Sequence, residues 1–288
     1  MERHELTGRC ALVTGAGRGF GRAVAFAYVR AGANVILCSR SQTELEDVRA
    51  SLNAAYPNSR VEIVVADVSR EESVAALKIS VDEYFGGLDI LVCNAGIYGP
   101  KGPSESVDWS AWTKAFEVNV YGVVLCVRAF ARSIKASRRG KVIVLSGGGA
   151  TKPMPFLSAY AATKAAVVRF GETLAEEWRS DGVDVNMVAP GALNTGLLDE
   201  ILDAGPEIVG RAFYEASLKQ KSTGGTPLEK GADLCTFLGS RASDGITGKL
   251  ISAVWDPWER FPQMRDTLNS SDVYTLRRIV PEERGLSW

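Results

Sequence analysis

Seven short apolar runs, separated by longer amphipathic stretches, constrain this chain more than any other feature. They fall at 11–13, 35–38, 61–65, 90–93, 142–145, 183–188 and 250–254. Runs of this length that are apolar at nearly every position are strands covered on both faces. Strands alternating with helical segments predict a parallel sheet between two helical layers. The expected class is α/β: a Rossmann-like, three-layer, doubly wound parallel sheet of about seven strands. Such sheets bind ligands beyond the carboxyl ends of their strands. The residues that follow each run are therefore the candidate site.

The first run leads into Thr14-Gly15-Ala16-Gly17-Arg18-Gly19-Phe20-Gly21, and an Ala-rich amphipathic stretch, 22–31, comes next. Strand, glycine turn and helix in that order let a pyrophosphate approach the backbone at a helix N-terminus. Further along, Asp67-Val68, Asn94-Ala95-Gly96, the 146–149 segment and the 190–195 segment also follow strands. Tyr160 and Lys164 lie four residues apart on a predicted helix and share a face. A free phenol keeps its proton to about pH 10. An adjacent ammonium favours the phenolate, so the pair predicts a Tyr160 pKa lowered towards neutrality.

Composition narrows the function classes. Lys and Arg number 33 against 34 acidic residues, which gives no electrostatic footprint for nucleic acid or an anionic membrane. No apolar run approaches the roughly 18 residues of a membrane span. The N-terminus lacks the apolar stretch of a secretory signal. Cys10, Cys38, Cys93, Cys126 and Cys235 form no Cys-x-x-Cys pair and read as reduced packing residues of a cytoplasmic protein. The single histidine, His4, reads as a solvated terminal residue. Ser-His-Asp hydrolysis is thereby excluded, and no metal site is expected. No linker divides the chain. The expected organisation is one domain over 1–254 followed by an extension, 255–288, whose tryptophans and prolines suit packing on the domain or on a neighbouring subunit.

Together the motifs resemble the single-domain short-chain dehydrogenases/reductases, from about residue 6 to 252. The resemblance rests on the Thr-Gly-x-x-x-Gly-x-Gly spacing, Asp67, Asn94-Ala95-Gly96, Asn119, Tyr160-x-x-x-Lys164 and Pro190-Gly191, in order. It implies an oxidoreductase that interconverts a secondary alcohol and a ketone by hydride transfer with a nicotinamide cofactor, Tyr160 being the general acid and base. By resemblance, the cofactor is held by Gly15, Gly17, Arg18, Gly19, Phe20, Gly21, Ser39, Arg40, Asp67, Val68, Asn94, Ala95, Gly96, Pro190, Gly191 and Thr195, together with Tyr160 and Lys164. NAD enzymes of this kind carry an acid after the second strand, where this chain has Ser39-Arg40. With Arg18 in the glycine turn, two guanidiniums suit a 2′-phosphate, so NADP(H) is expected over NAD(H), with NAD possible.

The resemblance also implies a catalytic set of Asn119, a serine, Tyr160 and Lys164. The serine belongs thirteen residues before the tyrosine, where this chain has Gly147; Ser146 is its neighbour and the candidate hydroxyl at the strand end. Three readings stay open. Backbone N–H groups of the 147–149 run hold the substrate oxygen; or Ser146, Thr151 or Ser158 substitutes; or turnover is weak. The last reading carries an alternative function, that of a cofactor-binding protein with a regulatory, scaffolding, isomerase or cyclase role. Candidate substrate contacts are Tyr98, Gly147, Gly148, Met154, Phe156 and Leu197, with a lid over 192–226. A small-molecule substrate is expected, and helices over 109–136 and 158–180 imply a homodimer or homotetramer.

Overall fold

The computed structural model describes residues 5–287, so His4 and Trp288 lie outside the described residues. The first half alternates strictly: β1 (Cys10–Thr14), α1 (Gly19–Arg30), β2 (Asn34–Ser39), α2 (Gln42–Ala55), β3 (Val61–Val65), α3 (Glu71–Phe85), β4 (Ile90–Cys93). Next come α4 (Trp109–Phe116), a π-turn (Glu117–Tyr121), α5 (Gly122–Ala136), β5 (Lys141–Leu145), α6 (Ser158–Glu177) and β6 (Asp184–Ala189). Three helices cross the lid region, α7 (Gly196–Ala204), α8 (Pro206–Val209) and α9 (Arg211–Thr223). The chain then forms α10 (Leu228–Gly239), β7 (Leu250–Ser252) and α11 (Arg265–Ser270).

All seven strands are parallel, in the order β3-β2-β1-β4-β5-β6-β7. The order reverses between β1 and β4, which opens a crevice at their carboxyl ends. Alternate residues of each strand serve opposite layers. Val13, Leu37, Ile143 and Leu145 pack towards α1 and α10. Leu12, Ile36, Leu91, Val142 and Val144 pack towards α3, α5 and α6.

Two elements differ from the sequence pattern. The last strand ends at Ser252 rather than 254, because the Ser252 hydroxyl accepts the N–H groups of Val254 and Trp255 (3.3 and 3.2 Å) and turns the chain. The long helix expected over 109–136 is broken by the π-turn at Asn119. Beyond β7, Trp258, Phe261 and Leu268 are buried in the α1/α10 layer. Burial of side chains of this size stabilises by about 1.5–3 kcal/mol each. The chain then runs over α6, where the Leu276 N–H donates to Glu172 Oε1 (2.6 Å) and Arg169 donates to the Leu276 carbonyl.

Candidate active site

The glycine turn is shaped for close approach. Gly15 is left-handed (φ +65°), and a Cβ there would stand 2.9 Å from Ala95 Cα. A Cβ on Gly21 would overlap the Gly15 carbonyl. Thr14 and Asn94 lock this turn to β4. Thr14 Oγ1 accepts the N–H groups of Asn94 and Ala95 (3.0 and 3.1 Å), and Asn94 Nδ2 donates to the carbonyls of Thr14 and Gly15 (2.8 and 3.1 Å). Asn94 is thus a tie between strands. α1 starts with no capping side chain and no acid in its first turn. Its leading N–H groups and positive dipole end face the turn, which fits a dinucleotide pyrophosphate.

The other strand ends close around this cradle. A Cβ on Gly19 would lie 3.5 Å from Thr195 Cγ2. Phe20 and Pro190 both pack on Gly231 of α10, whose added Cβ would stand 2.6 Å from the Phe20 ring and 3.0 Å from Pro190 Cβ. Gly191 abuts Thr226 and Val254. Val68 packs on Gly122 at the start of α5. Asp67 Oδ1 accepts from the Ser69 hydroxyl and N–H (2.7 and 3.0 Å). Burial pushes the Asp67 carboxyl up, but these hydrogen bonds and the cations Lys114 and Arg40 outweigh it and hold it below its ordinary value. Arg40 is exposed, and Arg18 pairs with Glu44 at 3.7 Å.

Tyr160 and Lys164 lie side by side on α6. Lys164 Nζ lies 5.6 Å from the Tyr160 ring centroid and donates to the Leu145 carbonyl (2.8 Å), at the carboxyl end of β5. Asn119 joins the same group through its amide. Its Nδ2 donates to the Ile97 carbonyl (2.8 Å) and Thr163 Oγ1 (2.9 Å), and its Oδ1 accepts the Ile97 N–H (2.8 Å). Thr163 Oγ1 in turn donates to the Tyr160 carbonyl (2.8 Å). A Cβ on Gly96 would come within 3.3 Å of Asn119 Oδ1 and 3.6 Å of Lys164 Nζ, so Gly96 leaves these groups open to the crevice.

The lowered Tyr160 pKa expected from the sequence is not what the structure gives. Burial pushes the phenol well up, and Tyr98, edge-on at 4.6 Å between ring centroids, adds to the rise. Burial likewise pushes the Lys164 ammonium down, to about 8. Desolvation disfavours the charged form of each group, and at this separation it outweighs their mutual attraction.

Gly147 shows what fills the place of the serine. A Cβ there would stand 2.5 Å from the Tyr160 hydroxyl. The phenol therefore occupies the space that a side chain at 147 would need. Ser158 Oγ accepts from Trp112 Nε1 (3.3 Å), and Thr151 is exposed. Ser146 Oγ is buried with no hydrogen-bond partner among the described residues. Beside them, Gly148–Ala150 form a 3₁₀ turn without a side-chain cap, which leaves its leading N–H groups without capping partners. Gly148 has nothing within 4 Å of an added Cβ, whereas Gly149 packs on Ala161 and Met154.

Over Tyr160 lies a separate apolar cluster. Leu157, Ile201 and Val209 form its buried centre, with Tyr98, Met154, Tyr160, Phe213 and Tyr214 packed around them. Phe156 is left-handed (φ +67°) and lies on Gly210 at the α8–α9 junction. Leu197 is half-buried and outside the cluster; Ile201, one turn on, takes the inward place. Lys101 Nζ pairs with Glu200 Oε2 (2.9 Å), which joins the β4–α4 loop to α7. Phe213 and Tyr214 escaped the sequence reading, although an aromatic pair inside a glycine-rich stretch was a usable signal. Thr163 escaped it as well, one residue before Lys164.

The chain is similar to known proteins over most of its length. The family model described as short chain dehydrogenase matches residues 9–205. The chain is 36% identical to 3beta-hydroxysteroid dehydrogenase 1 of Eggerthella lenta over 86% of its own length and 92% of that protein. It is 32% identical to galactitol 2-dehydrogenase of Rhizobium johnstonii, over 88% and 96% respectively. Among solved structures, L-sorbose reductase from Gluconobacter frateurii complexed with NADPH and L-sorbose superposes with a TM-score of 0.78. Its identity is 27%, and the match covers 87% of this chain and 96% of that one.

Proposed function

We propose, for a chain that belongs to the short-chain dehydrogenase family and so interconverts alcohols and ketones with a nicotinamide cofactor, that Tyr160 is the proton-transfer group and NADP(H) the preferred cofactor. The carrying observation is the half-buried Tyr160 with its hydroxyl set against Gly147, and Lys164 and Asn119 grouped beside it near an uncapped glycine turn. When bound, the cofactor supplies or accepts the hydride. Burial keeps the phenol protonated at neutral pH, so it stands ready to donate to a carbonyl oxygen. Reduction is the favoured direction near neutrality, and oxidation gains as pH rises. Lys164 stabilises the phenolate left behind and orients the ribose. Asn119 and Thr163 fix the backbone at Ile97 and Tyr160, and thereby the cleft. The N–H groups of the 147–149 run receive the substrate oxygen in place of a serine hydroxyl, that of Ala150 being held by the Gly147 carbonyl.

The apolar cluster under α7–α9 supports a hydrophobic, ring-bearing ketone as substrate, with Gly148 leaving room beside the reacting carbon. Arg18 and Arg40 support NADP(H), as does the NADPH held by the L-sorbose reductase relative. Exposed Trp109 (72%) and Tyr121 (53%) on the α4–α5 segment support self-association as a dimer or tetramer. Five free cysteines support a cytoplasmic location. No helix among the described residues is long and apolar enough to cross a membrane.

The test is cofactor oxidation over a panel of cyclic apolar ketones and open-chain polyhydroxy ketones, with NADPH and NADH side by side. Faster turnover of the cyclic ketones with NADPH is expected. Turnover confined to the polyhydroxy ketones would overturn the substrate reading, and a preference for NADH would overturn the cofactor reading.

A further inference from the structure

The end of β2 carries no acid, yet the fold brings one to the same place from the first turn of α2. Ser41 caps α2 by accepting the Glu44 N–H (3.3 Å). The Glu44 side chain then lies over the glycine turn: a Cβ on Gly17 would stand 2.8 Å from Glu44 Oε2, 2.9 Å from Glu44 Cβ and 3.1 Å from Ser39 Oγ. Glu44 Oε1 is 3.7 Å from Arg18 Nη1. The carboxylate therefore sits where the glycine turn meets the end of β2, with one of the two candidate phosphate-binding guanidiniums as its partner. In a dinucleotide site of this topology, that junction reads the 2′ position of the adenosine ribose.

We infer that Glu44 sets cofactor selectivity in this enzyme. Its carboxylate accepts the ribose 2′-hydroxyl of NAD(H). It opposes the 2′-phosphate of NADP(H) in two ways, by like charge and by holding Arg18. The inference rests on the NADP(H) reading above and qualifies it: Arg18 and Arg40 attract the phosphate, Glu44 limits the gain, and both cofactors are accepted. Arg18 (76% exposed) and Glu44 (39%) are open to solvent, so the effect is screened and modest.

Direct binding by calorimetry tests this without turnover. The probes are NADPH, NADH, adenosine 2′,5′-bisphosphate and AMP, the last two reporting on the adenosine end alone. Glu44→Gln is expected to tighten NADPH and adenosine 2′,5′-bisphosphate by about three- to tenfold, to leave AMP within about twofold, and to weaken NADH slightly. Glu44→Ala should move the same ratios in the same direction. In an Arg18→Ala background the gain from Glu44→Gln should shrink, because part of it comes from freeing Arg18. An NADPH-to-NADH affinity ratio that stays within about twofold in both Glu44 variants would overturn the inference. A wild-type protein that binds NADH more tightly would overturn the NADP(H) preference instead; a ratio that still moved in Glu44→Gln would uphold the role of Glu44.

Discussion

Two buried ammonium groups sit at opposite ends of β5, in opposite company. Lys141, the first residue of the strand, is 1% exposed and lies 2.6 Å from Asp184 and 2.8 Å from Asp244, with Ser243 Oγ at 3.3 Å. Lys164 reaches the last residue of the strand, is 5% exposed and donates to the Leu145 carbonyl. The first cation is matched by two carboxylates and ties β5, β6 and the turn before β7 together. The second has no counter-ion in hydrogen-bond reach among the described residues, and burial drives its pKa down to about 8. A buried charge that is paired holds the fold; one left unpaired beside a half-buried phenol is the candidate for chemistry proposed above.

The contrast can be broken most forcefully at Tyr160. Tyr160→Phe removes the proton donor and leaves the ring, so ketone reduction should fall by about 100- to 10,000-fold while cofactor affinity stays within a few-fold. Unchanged turnover would remove Tyr160 from the chemistry. The lysines come next. Lys141→Met strands two carboxylates and should cost about 3–5 kcal/mol in chemical denaturation. Lys164→Met should leave stability equal or higher and reduce turnover instead. Equal destabilisation by both would erase the distinction between the two ends of the strand.

A smaller effect is expected at the glycines. Gly147→Ala must displace the Tyr160 hydroxyl, and a misplacement of about 1 Å costs about 100-fold in rate. Gly148→Ala meets open space and should stay close to wild type in activity on small ketones. Similar losses at both positions would mean that the phenol does not rest on Gly147.

A further effect is a pH slope. Lys164 is about 8 in the folded chain and 10.5 unfolded. Between those values the unfolded chain binds more protons, so stability should rise with pH across this window and level off outside it. Lys164→Met should remove that rise from the stability profile. A variant profile parallel to wild type would contradict it.

Much of the fold and part of the candidate site were legible in the chain, and the limits are physical. The apolar runs fixed all seven strands to within two residues, because a strand covered on both faces must be apolar throughout. Strand-end motifs put the glycine turn and Asn94 on one edge, and the helix after the fifth strand brings Tyr160 and Lys164 within reach of it, since topology carries them there. What escaped depends on juxtaposition. Glu44 reads as an ordinary helix acid until α2 lays it over Gly17. Lys141, Asp184 and Asp244 are far apart in sequence and meet only when β5 pairs with β6. The direction of the Tyr160 pKa was misread because helix spacing gives proximity to Lys164 but not the depth of burial that dominates both groups. The π-turn at Asn119 follows no local propensity and arises where its amide engages Ile97 from outside the helix.

The most direct measurement is a titration of the protein carrying ¹³Cε-labelled lysine, followed by NMR and assigned with Lys164→Met. One lysine resonance, absent from that variant, should titrate near pH 8. If the Lys164 signal instead titrates at the ordinary lysine value of about 10.4, the ammonium is not the buried, unpaired charge described here, and the distinction between the two ends of β5 fails.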